Sequence, residues 1–298
     1  MENPARLPAA PPGRVALVDL AFASGDAFRT VTEPFIEALG TRLAIWIDHH
    51  EHVIGWGLWR HDLRFCLVPS TSAHACPELV TKEVVRAAGA VDVVLAHADF
   101  DGLLSAVKFL RGGEAPYAES DEDARAVDSP GRGHTLSERG KMISAALDES
   151  RATESGAVRE ALRQAVCAEL ATRDDFSLEL HGRLSKLAQA HQKRQQRADA
   201  LGATAKEEAP GVGVIRAPHA LEGSERKAAL RSAEERWAVG VVIEPGKVTA
   251  ATFRADLDLA EVPGLDIGRA DYRFGKQQDD GSAVIAGLAK LIAHSQKR

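Results

Sequence analysis

Residues 93–106 read Val-Val-Leu-Ala-His-Ala-Asp-Phe-Asp-Gly-Leu-Leu-Ser-Ala, an apolar run that stops at one imidazole and two carboxylates on alternating positions. A glycine then opens a helical pattern. His97, Asp99 and Asp101 are spaced so that all three can converge on a metal ion held just past a strand. Similar endings recur: Arg14 to Leu20 carries Asp19, Leu43 to Ile47 runs directly into Asp48-His49-His50, and Ala126-Val127 precedes Asp128. Taken singly, each is a commonplace turn acid or a chance tripeptide. Their joint occurrence in one stretch of chain is costly to arrange without a ligand. Carboxylate and imidazole donors without thiolates suit Mn²⁺ or Mg²⁺ ahead of Zn²⁺ or Co²⁺. Two such ions about 3.5–4 Å apart would activate a bridging water, neutralise phosphate oxygens and fix an in-line geometry. One carboxylate has to bridge them.

These side chains need elements that deliver them together. Val91 to Leu95 has the length and composition of a strand buried on both faces. Open α/β sheets place their sites beyond the C-terminal ends of the strands, so parallel strands would present their tips along one edge. The pattern predicts a helix over Thr32–Leu39 with Pro34 in its first turn and a strand over Leu63–Val68. A helix over Pro77–Ala88 and another continuing over Ser105–Leu110 to Gly112-Gly113 follow, then a short strand or turn over Ala124–Pro130. From about Leu136 the composition turns to Ala, Glu, Arg, Gln and Leu at helical spacing. It ends in a long solvated helix over Leu180–Leu201, whose polar face carries Lys186, Lys193, Arg194 and Arg197. Ala203–Pro210 reads as a linker. Short β segments over Gly213–Arg216, Trp237–Ile243 and Lys247–Arg254 precede a terminal helix from Ala283. The fold class is therefore α/β. It comprises a Rossmann-like, mostly parallel N-terminal domain over residues 14–145, a helical connector over 146–206 and a small α+β C-terminal domain over 210–298.

Composition bounds the partners. The chain of 298 residues is 45% hydrophobic and 27% charged with a formal net charge of −6, which argues against a general nucleic-acid coat. Bound cations would still admit a phosphate substrate. No apolar run approaches the roughly 20 residues of a membrane span, and the proline-rich start lacks a signal-peptide core. Cys66, Cys76 and Cys167 lie far apart with no C-x-x-C pair, which points to a reduced, cytoplasmic setting. The other histidines, His74 and His134 among them, read as surface or loop residues, and Trp46, Trp56 and Trp59 as local packing. P-loop, G-x-G-x-x-G and G-x-S-x-G patterns are absent.

Ile45-Trp46-Ile47-Asp48-His49-His50 resembles the signature of the DHH phosphoesterase superfamily, which includes RecJ-type exonucleases, oligonucleotide and cyclic dinucleotide phosphodiesterases and manganese pyrophosphatases. His97-Ala98-Asp99-Phe100-Asp101-Gly102 is similar to that family's H-x-D-x-D-G motif. Val15–Asp19 is similar to the strand delivering a bridging aspartate, and Ala126-Val127-Asp128 to a fourth motif. The resemblance implies that His97, Asp99, Asp101, Asp19, His49 and Asp128 ligate two Mn²⁺ ions, with Mg²⁺ or Co²⁺ as substitutes. It further implies that Asp19 bridges and that His50, with Asp48, serves catalysis at the substrate phosphate.

Two departures stand out. The H-x-D-x-D strand follows the DHH strand here, whereas it leads in the family. A circular permutation or relocation of a strand within the sheet would reconcile the orders. Residues 272–283 resemble the DHH-associated domain, but Gly275-Lys276-Gln277-Gln278-Asp279-Asp280-Gly281 replaces its glycine-rich loop. Arg254, Arg273 and Lys276 are then the candidate phosphate contacts. The implied activity is hydrolysis of phosphodiester bonds in a short oligonucleotide, cyclic dinucleotide or other small phosphoester, in an enzyme compatible with a homodimer. The alternatives are a phosphoanhydride hydrolase of the pyrophosphatase or polyphosphatase type and a catalytically silent nucleotide-binding regulator.

Overall fold

Val15–Val18, strand β1, is buried along its whole length, as a strand must be when it has neighbours on both sides and cover on both faces. It pairs in parallel with β2 (Leu43–Asp48) and β4 (Val93–Ala96), and β2 pairs in parallel with β3 (Phe65–Leu67), giving the order β3-β2-β1-β4. The computed structural model describes residues 7, 9–23, 27–50, 57–59, 61–128, 133–254, 256–269, 272–276 and 280–295. The N-terminal lead-in (1–6 and 8), His52, Trp56 and loop residues 277–279 discussed above lie outside them.

Side chains alternate between two cores. Val15, Leu17 and Trp46 face Phe35, Ile36 and Leu39 of α1 (Glu33–Leu39). Ala16, Val18, Ile45 and Ile47 face Ala88 of α2 (Lys82–Ala88) and Ala106 and Phe109 of α3 (Phe100–Leu110). Trp46 and Trp59 both stack on Phe65, which is the packing role expected of them.

Several local expectations are corrected. β4 is half-buried, because it is the sheet's edge strand among the described residues. The helix expected over Pro77–Ala88 is split into a 3₁₀ turn (Cys76–Leu79) and α2, which starts anew where Thr81 Oγ1 accepts from Val84 N–H. Where a short strand or turn is expected over Ala124–Pro130, the described residues 124–128 are helical: Asp128 closes α4 (Ser120–Asp128), whose first turn holds Asp121, Glu122 and Asp123 where the helix dipole favours carboxylates. The buried Lys108 Nζ of α3 donates to Pro77 O at 2.9 Å and pairs with Asp121 at 2.6 Å, fixing α4 against α3. α5 (Glu138–Thr153), α6 (Gly156–Thr172) and the first half of α7 (Leu178–Ala203) pack on α3 through Ile143, Leu162, Val166, Leu170 and Leu184. The first compact unit accordingly runs to Ala188 and the second begins at Gln189.

The second unit is a six-stranded mixed sheet of order β5-β6-β7-β8-β10-β9. Its strands are β5 (Lys206–Ala209), β6 (Val212–Arg216), β7 (Val239–Glu244), β8 (Lys247–Ala251), β9 (Ile267–Arg269) and β10 (Tyr272–Lys276). The stretch read as a linker thus supplies β5, which pairs with β6. α8 (Gly223–Glu234) covers one face through Ala229, Leu230 and Ala233. α9 (Ser282–Ser295) covers the other through Val284, Leu288 and Ile292. Gly213 lies so close beneath the Trp237 ring that a Cβ would collide with it. Among the described residues no helix is long and apolar enough to cross a membrane.

One buried ion pair ties α8 to the sheet: Arg226 donates to Glu244 Oε1 from Nε at 3.0 Å and from Nη2 at 2.6 Å, and Glu244 Oε2 accepts from Leu221 N–H. Removing one partner strands a buried charge, which costs about 3–5 kcal/mol. Arg226→Leu should therefore lower the stability of this unit by that order in urea unfolding. The double variant Arg226→Leu/Glu244→Leu should recover most of the loss.

Candidate metal centre

Register alone brings the strand tips level. Val18 is opposite Ile47 on one side and Ala96 on the other, so the next residues, Asp19, Asp48 and His97, share one edge of the sheet. Chain order is immaterial to that edge: β4, although last in sequence, lies directly beside β1. Asp19 sits at φ +56°, the left-handed region, which costs a non-glycine residue about 1–2 kcal/mol. Its amide still donates to Ile47 O at 2.9 Å. The strained turn aims the carboxylate across the strand ends.

His49 is buried, and its Nδ1 lies 3.1 Å from Ala73 O. That carbonyl can only accept, so Nδ1 carries the proton and Nε2 is left with its lone pair. Nε2 lies 3.4 Å from Asp19 Oδ1, 3.6 Å from Asp101 Oδ2 and 3.6 Å from Asp128 Oδ2. On the other flank, His97 Nδ1 is 2.5 Å from Asp99 Oδ2 and 3.8 Å from Asp19 Oδ2. Donor atoms therefore gather into two trios close enough to share an ion each: Asp19, His97 and Asp99, and His49, Asp101 and Asp128. A third combination joins Asp19 to His49 and His50. Asp19 touches both flanks. Every ligand candidate from the sequence is thus in one cluster, Asp128 arriving from the end of α4 instead of a strand.

His50 is partly exposed at the rim, its Nδ1 2.9 Å from Asp48 Oδ1 and 3.8 Å from Asp19 Oδ1. Asp48 is buried and acts as the anchor for that ring. The second unit's candidates are differently placed. Arg254 pairs with Asp256 at 2.5 Å and reaches Ser295, while Arg273 donates to the carbonyls of Leu265 and Asp266. Lys276 is exposed at the end of β10. Sequence reasoning did not single out Ala73, which acts through its carbonyl, or the Cys76 N–H, which lies 3.4 Å from Asp101 Oδ2. Backbone groups leave no residue-type signal.

The start of α3 shows how tightly the cluster is built. Asp99 is the N-cap, its Oδ1 accepting from Gly102 N–H at 3.2 Å while Oδ2 faces His97. A Cβ on Gly102 would lie 2.5 Å from His97 O and 3.0 Å from both Asp19 Oδ2 and Asp99 Oδ1. Only glycine leaves the carboxylates their room.

Electrostatics show what the cluster is suited to hold. Burial, then the negative charges of Asp99, Asp48 and Asp128, push the Asp19 carboxyl well above the ordinary range. Burial, then Asp19, Asp99 and Asp128, does the same to Asp101, and burial raises Asp128. Burial also pushes Asp99 upward, but the hydrogen bond and charge of His97 outweigh it and hold Asp99 low. Both Asp19 oxygens and His49 Nε2 are buried without a hydrogen-bond partner. Buried acceptors of this kind cost heavily unless something cationic satisfies them. Hard oxygen donors with imidazole fit a divalent ion of the Mn²⁺ or Mg²⁺ class.

A carboxyl raised by folding takes up its proton more readily in the folded chain, so stability without metal increases as pH falls from neutral toward the ordinary carboxylate range. Asp101→Asn should flatten that slope and raise the melting temperature at neutral pH without metal. It should also abolish the stabilisation produced by added Mn²⁺. Thermal melts with chelator and with Mn²⁺ across pH read both effects.

No protein-family model matches the chain, and no curated protein matches it in sequence. Solved structures do match. An exonuclease RecJ bound to manganese is 16% identical, with a TM-score of 0.48 over 95% of this chain and 76% of that one. The pGpG-specific phosphodiesterase PggH of Vibrio cholerae is 10% identical, with a TM-score of 0.40 over 60% of this chain and 66% of its own. RecJ of Thermus thermophilus in complex with Mn²⁺ is 14% identical, with a TM-score of 0.44 over 95% of this chain and 45% of its own. At these identities and scores it is the strand edge itself that speaks for the chemistry. The H-x-D-x-D-G, aspartate and D-H-H side chains gather on one parallel edge, the juxtaposition that the sequence resemblance to the DHH phosphoesterases implies.

Proposed function

We propose that the chain is a metal-dependent phosphoesterase that hydrolyses phosphodiester bonds of short or cyclic oligonucleotides. The observation supporting this most directly is the pair of donor trios that meet at Asp19. His97 and Asp99 would hold one divalent ion, His49, Asp101 and Asp128 a second, and Asp19 would bridge them. Mn²⁺ is the ion we favour, for the mixed oxygen and imidazole donor set. When bound, such ions supply Lewis-acid neutralisation of phosphate oxygens and activation of water.

The chain's own residues do the rest. Ala73 O fixes the tautomer of His49, so that Nε2 is presented without rearrangement. Asp48 orients His50 through Nδ1, and in the imidazolium form of that ring the second N–H, at the partly exposed rim, would donate to a phosphoryl oxygen. A donor fixed there contributes most when charge builds on phosphorus. The formal charge of −6 fits a small substrate better than a long nucleic-acid tract.

Turnover of bis(4-nitrophenyl) phosphate with Mn²⁺, followed by a panel of linear dinucleotide, cyclic dinucleotide, short oligonucleotide and pyrophosphate, tests the reading. Activity confined to pyrophosphate would favour a phosphoanhydride hydrolase, and binding without turnover a silent regulator. Asp101→Ala and His49→Ala should lower kcat beyond the roughly 10²–10³-fold that a single transition-state contact is worth. Circular dichroism should show both variants folded. Gly102→Ala should behave like a ligand loss although it removes no donor.

A further inference from the structure

A second pair of imidazoles lies outside the carboxylate cluster. His74 follows the residue whose carbonyl holds His49, and His134 lies in the segment after α4, the helix that ends at Asp128. His74 Nδ1 and His134 Nε2 face each other at 3.4 Å, with the two rings 63° apart. That separation is at the long end of hydrogen-bond reach for two ring nitrogens. It matches the edge of a tetrahedral zinc site, where two bonds of about 2.0–2.1 Å place the nitrogens about 3.3–3.4 Å apart.

The surrounding groups prepare one of these nitrogens. Glu122 Oε1 lies 3.0 Å from His134 Nδ1. The other Glu122 oxygen pairs with Arg125 Nη1 at 3.1 Å, and Arg125 Nη2 reaches Glu78 Oε2 at 3.1 Å. Glu78 Oε1 in turn accepts from Ala75 N–H at 3.0 Å. An ionised Glu122 can only accept, so Nδ1 of neutral His134 holds the proton and Nε2 turns a lone pair toward His74. A carboxylate behind a ligating histidine is the usual outer support of a metal-bound imidazole.

We propose that His74 and His134 form a second metal site, selective for an imidazole-preferring ion of the Zn²⁺ class, with Glu122 as its supporting carboxylate and water completing the coordination. Nitrogen donors here and mainly carboxylate oxygens at the strand edge divide the two sites by ligand softness. Occupancy would clamp the segment that holds His49 to the segment that follows Asp128, bracing both sides of the catalytic cluster. The site stands whether or not the chain hydrolyses phosphodiesters.

The test is Zn²⁺ binding by isothermal titration in full-length protein carrying Asp19→Asn/Asp101→Asn, which weakens the strand-edge cluster. One Zn²⁺ should still bind per chain, and Mn²⁺ should not compete for it. Adding His134→Ala or His74→Ala should weaken this binding by tenfold or more, and Glu122→Gln by about 10–100-fold. Circular dichroism accompanies each variant. If the alanine variants unfold, His134→Gln and X-ray absorption of the Zn²⁺-loaded parent replace them, the spectrum being expected to show imidazole ligation that the variant loses. Unchanged Zn²⁺ affinity in folded His74 and His134 variants, or displacement of the Zn²⁺ by equimolar Mn²⁺, would overturn the proposal.

Discussion

The first unit is governed by a charge conflict at the end of its central strand. Asp19 and Asp101 are buried within reach of Asp99 and Asp128, and like charges so placed disfavour one another's ionisation. Hydrogen bonds cannot resolve this, because carboxylates only accept and the available imidazoles offer one lone pair or one proton per nitrogen. Among the described residues, the basic groups paired with these acids are the rings of His49, His50 and His97, which leave most of the negative charge uncompensated when neutral. Divalent ions held by these donor trios, as proposed, would compensate it. The fold thus stores a destabilising charge arrangement that becomes favourable only on binding, the usual trade of stability for function.

Geometry pushes the same way. Asp19 accepts a left-handed backbone that glycine would adopt more cheaply, since a carboxylate is needed at that point. Asp99 both caps α3 and faces His97, so the start of the helix and the site are one construction. Gly102 is the complement of these choices: side chains are crowded in where chemistry needs them and excluded where it does not. Lys108 and Asp121 lock α4 to α3, and with it the approach of Asp128.

Much of this was legible in the sequence because parallel strands report their own ends. An apolar run that halts at an acid names both the element and the edge, and Asp19, Asp48-His49-His50 and His97 could be read that way. Asp128 was recognisable by type but not by element, since Ala-Arg-Ala-Val before it suits a short strand as well as a helix. The acids at Asp121, Glu122 and Asp123, which favour a helix start, decided for the helix. The Ala73 carbonyl was invisible, because any residue offers a carbonyl and only the tertiary fold aims it. His74 and His134 were read as loop residues for a similar reason: their pairing joins segments 60 positions apart, beyond any local pattern. Arg254 and Arg273 show the converse limit: the neighbours that engage these side chains, Asp256 and the Leu265 carbonyl, are not revealed by residue type.

The inverted order of the motifs is resolved by the same physics. A metal centre depends on which strand tips are adjacent, and adjacency in a sheet is set by pairing, not by the order of synthesis. Here β1 lies between β2 and β4, so the aspartate strand stands between the DHH strand and the H-x-D-x-D strand. Moving β4 along the chain changes which loops connect the strands, but leaves the register Val18–Ile47 and Val18–Ala96 to place the tips. The central position of Asp19 follows from this. A residue at the tip of the middle strand can touch donors from both neighbours, so topology gives Asp19 the position that the proposed bridging role needs before any side chain is chosen.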